Sequence, residues 1–135
     1  MRRFLSDLIT PKGEPLPPGP RGRILFVGPF QGGVGGVERL TRCFADWVRD
    51  SGYTATMVFE HTNLPDGPYT ITPSDTVRVL HSGAWSTKLA EAEYDFAYIM
   101  PSGLGRRRWL PRLAKIKSRR VVLDLDPKRK YIDVT

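Results

Sequence analysis

Along the chain, short runs of continuous apolar residues alternate with stretches whose apolar positions recur every three to four residues. The run RILFVG, from Arg23 to Gly28, is nearly all apolar, as a strand buried on both faces of a parallel sheet must be. After the loop PFQGGVGG comes VERLTRCFADWVRDSG. Here Val37, Leu40, Phe44, Trp47 and Val48 recur at helical spacing, and Gly52 is a stop signal. YTATMVFE, rich in β-formers, closes a strand-helix-strand unit whose crossover is expected to be right-handed. The prolines and glycine between His61 and Asp75 predict a surface excursion, and TVRVL a third strand. Residues 86–93 suggest a short helix, YDFAYIM a fourth strand and RVVLDLDP a fifth. Between the last two, WLPRLAKIKS has Trp109, Leu113 and Ile116 at helical spacing, with Pro111 expected in its first turn. The alternation predicts an α/β, Rossmann-like open parallel sheet of about five strands, with helices on both faces, in a single domain. No closing helix is expected after the fifth strand, and no internal repeat is visible.

Residues 1–22 break the pattern. In RRFLSDLI, the residues Phe4, Leu5, Leu8 and Ile9 share one helical face beside Arg2 and Arg3, which suits a frayed tail or contact with a membrane or partner. PKGEPLPPGPRG cannot sustain helix or strand, so 1–22 is read as a flexible tail and linker, with the domain spanning 23–135.

With 135 residues and 40% hydrophobic content the chain can build one core. No run approaches the ~20 apolar residues of a membrane span, and no secretory signal is recognisable, so the expected compartment is the cytoplasm. The single cysteine, Cys43, excludes an intrachain disulfide and a paired-cysteine zinc site, and its helical context suggests a packed core residue. A formal charge of +7 suggests an anionic partner. Neither a zinc-finger nor a helix-turn-helix signature nor a stacking surface points to nucleic acid.

In open α/β sheets ligands bind outside the carboxyl ends of the strands, and the loop after the first strand sits where strand order reverses. Gly32, Gly33, Gly35 and Gly36 lie there, four glycines in five positions. Such a backbone approaches a ligand closely, and the helix that follows aims free N–H groups at phosphate or carboxylate. A tight packing turn would need fewer glycines. Val34 and Gly35 follow Gly33, so this is no Walker loop. A dinucleotide fingerprint started at Gly33 and Gly35 meets Glu38 at its third glycine position, although Glu60 stands where a ribose-binding carboxylate belongs.

The string from Arg23 to Phe59 resembles the opening of the GT-B glycosyltransferases, in particular the large retaining group with a Gly-Gly-Val-Glu-Arg loop. From there to about Asp126 the likeness lies in the order of elements alone. It implies an acceptor-side N-terminal domain whose Gly32, Gly33, Gly35 and Gly36 line the phosphates of a UDP- or GDP-linked sugar. A hydroxyl acceptor would be the second substrate. Glu38 would cap the helix and Arg39 would be solvated. The family's donor-binding domain has no counterpart in this chain, so it would act as a fragment or as one subunit beside a donor-binding partner, and alone it should not transfer sugar efficiently. Where relatives carry a histidine or His-Asp pair at the fifth strand's end, Asp124, Leu125 and Asp126 stand here.

Asp124 and Asp126 also invite comparison with a metal-binding Asp-x-Asp and with the paired aspartates of a phosphatase, but the sheet context and the missing further motifs favour cleft-facing carboxylates. Ser102, Arg106 and Arg107 follow the fourth strand on the same side and join them as acceptor or cleft candidates. From Arg106 to Arg120 run eight basic residues and no acid, a solvated face or a surface for anionic lipid or a phosphorylated acceptor. His61 and His81 are read as surface residues. No metal, no other cofactor and no catalytic residue is assigned. Two further readings stay open: a non-catalytic module using its basic face for a membrane or partner, and a small dinucleotide-binding protein.

Overall fold

The computed structural model describes residues 13–31, 36–62, 67–100, 106–125 and 130–133. Five parallel strands form the sheet: β1 (Gly22–Phe30), β2 (Tyr53–His61), β3 (Val77–His81), β5 (Phe96–Ile99) and β7 (Val121–Leu125), in the order β3-β2-β1-β5-β7. Strand order reverses between β1 and β5, where Leu25 pairs with Ala97 on one side and Thr56 on the other. This is the α/β, Rossmann-like open sheet that the apolar runs predict. Three strands were not foreseen. β8 (Lys130–Asp133) adds an antiparallel edge to β7, where no further strand was expected. The two-residue strands β4 (Glu93–Tyr94) and β6 (Lys117–Ser118) pair parallel in a separate two-stranded sheet.

Helices cover both faces. Helix α1 (Gly36–Arg49) packs Phe44, Ala45 and Val48 on Ile24, Phe26, Met57 and Phe59. Opposite lie a 3-10 turn (Ser82–Ala84), α2 (Thr87–Glu91) and α3 (Arg106–Leu113), whose Leu89 and Trp109 close over Leu25, Val27, Val58 and Ile99. The side chain of Trp109 is completely buried.

The apolar face of α1 differs from the one its hydrophobic residues outline. The buried stripe is Thr41, Ala45 and Val48, while Leu40 and Trp47 remain 56% and 52% exposed and Cys43 is exposed rather than packed in the core. Small residues let the helix approach the sheet closely, and the Thr41 hydroxyl is satisfied by donating to the Val37 carbonyl at 2.8 Å. The larger side chains fall on the adjoining face, where Trp47 leans on Phe44 and Tyr53.

Helix α3 starts three residues before Trp109 and ends at Leu113, so Pro111 lies well inside it and not in its first turn. Lys117 and Ser118 belong to β6, so the helical period does not extend to Ile116.

Residues 13–21, read as linker, run against the sheet as a strap. Leu16 is buried, its N–H donating to Thr56 Oγ1 at 3.2 Å, and the Thr54 hydroxyl donates to the Pro17 carbonyl at 2.6 Å. Ser86 donates to the Gly13 carbonyl at 2.6 Å. Gly13 has φ +63°, and a Cβ there would run into the Ala84 carbonyl oxygen, so glycine is required. A chain without regular structure can thus be fixed by side-chain hydroxyls of the strand beneath it. The excursion after β2 is anchored likewise: Ile71 is buried in the α1-side core, and Arg42 donates to the Thr70 carbonyl at 2.9 Å.

Candidate functional site

Because the five strands are parallel, their carboxyl ends share one edge, and neighbouring ends stand about 4.8 Å apart. In such sheets the crevice for a ligand lies where strand order reverses, here between β1 and β5. On the β1 side Gln31 is held twice: its N–H donates to the His61 carbonyl at 3.0 Å and its amide nitrogen to the Ile71 carbonyl at 2.9 Å. Phe30 stacks on the His61 ring with centroids 5.3 Å apart. These contacts fix the chain where it leaves the strand and enters the glycine loop.

Gly32, Gly33 and Gly35 lie outside the described residues. Gly36 is the first residue of α1, and a Cβ at that position would meet open space. The first turn of α1 offers N–H groups without intrahelical partners, which favours an anion at this end. Glu38 in the same turn adds a negative charge that a ligand has to avoid, and Arg39 is exposed, as expected.

Ser102 and Asp126 also lie outside the described residues, as does the side chain of Arg106, the residue that opens α3. Arg107 is exposed on the first turn of α3. Its neighbour Arg108, not singled out from the sequence, reaches across to the end of β3 and donates to the Ser82 hydroxyl at 3.3 Å, where Ser82 itself is buried.

Asp124, two strands from β1, is 5% exposed. One carboxylate oxygen, Oδ2, accepts a short hydrogen bond from the Tyr98 hydroxyl, while Oδ1 is buried with no hydrogen-bond partner among the described residues. Tyr98 is oriented by stacking on Phe26, at 5.7 Å between centroids and an 11° interplanar angle. A buried carboxylate oxygen left without a partner keeps its acceptor capacity, and any group that satisfies it has to reach into the strand end. The sequence placed Asp124 at the strand end but did not reveal Tyr98, whose position follows from its pairing with Val122.

His61 and His81 are exposed but structurally engaged. Gly83 N–H donates to His81 Nδ1 at 3.0 Å, and Nε2 lies 3.1 Å from the Glu60 carbonyl, so the tautomer protonated at Nε2 satisfies both. The Glu60 side chain is buried and does not stand open at the crevice as a ribose-binding carboxylate should. No cluster of three or more histidine, cysteine, aspartate or glutamate side chains occurs among the described residues, nor any helix long and apolar enough to cross a membrane.

Comparison of the chain with protein-family models, with curated proteins and with solved structures found no match.

Proposed function

We propose that this chain is the acceptor-side half of a GT-B-type glycosyltransferase, moving a sugar from a UDP- or GDP-linked donor to an acceptor hydroxyl together with a donor-binding domain or subunit. The observation that carries this reading is the junction of β1, the glycine loop and α1 at the point of strand-order reversal, in a chain whose residues 23–59 resemble that family. In such a reaction the protein's main task is to stabilise the charge that develops on the departing diphosphate. Gly32, Gly33, Gly35 and Gly36 would supply backbone N–H groups and the α1 dipole to it. Asp124, with Tyr98 holding one of its oxygens, would place a negative charge beside the acceptor subsite, and Arg107 would add positive charge at the same edge. The cytoplasm, with peripheral contact to a membrane, is the setting in which we place this activity.

Equilibrium titration of the chain with UDP- and GDP-sugars tests the reading. Weak binding in the millimolar range is expected, because the donor domain supplies most donor contacts. Gly36→Glu, introduced where the side chain has room, should abolish it without unfolding the protein. Binding of NAD in place of sugar nucleotides, with loss on Glu60→Ala, would instead make the chain a dinucleotide-binding protein.

A further inference from the structure

The groove between α2 and α3 lies on the outer side of the sheet face opposite α1. It has a volume of about 340 Å³ and is lined by Trp85, Ser86, Thr87, Pro111, Arg112 and Lys115. The guanidinium of Arg112 is held against two indoles, 4.8 Å from the Trp109 ring centroid and 5.5 Å from that of Trp85. These two rings meet edge to face at 4.9 Å, so the platform is rigid. Stacking orients a planar cation without neutralising it. Among the described residues no carboxylate pairs with Arg112, and its Nη1 is buried without a hydrogen-bond partner. Lys115 at the rim is exposed and likewise has no ion pair among the described residues. Burial and the like charge of Arg108 both work against the protonated form of Arg112.

We propose that this groove is an anion subsite that takes a phosphate group, with Arg112 as the oriented donor, Lys115 as the second positive charge and the Thr87 hydroxyl at the rim. A phosphate in the groove supplies the counter-charge that Arg112 lacks. The apolar walls, Trp85 and Pro111, suit a ligand whose phosphate adjoins apolar matter, and that chemistry occurs in a lipid headgroup as well as in a small phosphorylated molecule. The inference does not depend on the glycosyltransferase reading, since the groove is built from α2 and α3 and uses no residue of the glycine loop.

Trp85 and Trp109 are natural reporters once Trp47 is replaced by phenylalanine. Emission of that chain is followed during addition of inorganic phosphate, and separately of phosphatidylcholine vesicles with and without phosphatidic acid. A saturable response to phosphate is expected, or a response to phosphatidic acid vesicles alone if the natural source is a headgroup. Lys115→Glu and Arg112→Gln should each weaken it by about tenfold or more, equivalent to one charged contact, whereas Arg119→Glu, outside the groove, should leave it intact. If Arg112→Gln fails to fold, Lys115→Glu decides, because that side chain is exposed. No response to either probe overturns the proposal. So does an equal loss from Arg119→Glu and Lys115→Glu, which would reduce the effect to diffuse surface charge.

Discussion

The face of the sheet carrying Leu25, Val27 and Ile99 is closed by three small pieces: the strap of residues 13–21, α2 and α3, with Trp109 buried at the centre. The face carrying Ile24, Phe26 and Met57 is closed by one long helix and the excursion after β2, and it leaves Leu40 and Trp47 in solvent. Short elements cannot stabilise themselves through helix propagation, so the first face depends on a few large buried side chains and on hydroxyl-to-carbonyl bonds. The second depends on a small-residue stripe that fits α1 closely to the sheet. Substitutions should therefore cost most on the first face, even though its elements are the less regular.

The largest effect is expected for Trp109→Ala, about 3–5 kcal/mol of lost stability from the cavity it leaves, measured by chemical denaturation. Leu16→Ala should follow, at about 2 kcal/mol or more, with faster hydrogen exchange at Thr54 and Thr56 as the strap loosens. If the strap were a mere linker, neither would change. A smaller difference is read from pH. Burial of the Tyr94 ring raises its ionisation above the ordinary tyrosine value, with the Arg23 cation pulling the other way. The unfolded chain thus releases this proton near pH ~10 while the folded chain keeps it. That contribution to stability is intact below pH ~10 and declines as pH rises above it, and Tyr94→Phe should remove this part of the alkaline slope. The smallest effect belongs to the other face: Leu40→Ser and Trp47→Ser should each change stability by no more than about 1 kcal/mol, since each side chain already keeps about half its surface in water.

The same contrast shows what the sequence made legible. The continuous apolar run RILFVG locates a central strand directly, because a strand buried on both faces favours apolar residues throughout, and YTATMVFE is found by its β-formers. α1 was legible as a helix, but its contact stripe was not, since Thr41 and Ala45 carry little hydrophobic weight and are selected for closeness of approach. The strap was hidden because proline and glycine exclude regular structure without excluding packing, and its anchors, Thr54, Thr56 and Ser86, lie 37, 40 and 73 residues from their partners. At the site, Asp124 was visible as a carboxylate at a strand end. Its bond to Tyr98 depends on the pairing of β5 with β7, and the cradle around Arg112 on how α2 and α3 settle against each other. Neither arrangement has a local sequence signal.

Residue-by-residue amide NMR during titration of the labelled chain with UDP- and GDP-sugars tests the central claim most directly, because a chain of 135 residues reports even millimolar binding at each N–H. The account predicts shifts from Gln31 to Glu38, extending to Asp124 when an acceptor sugar is added. If those amides stay still with every sugar nucleotide, the glycine loop is no donor-phosphate site and the glycosyltransferase reading is wrong.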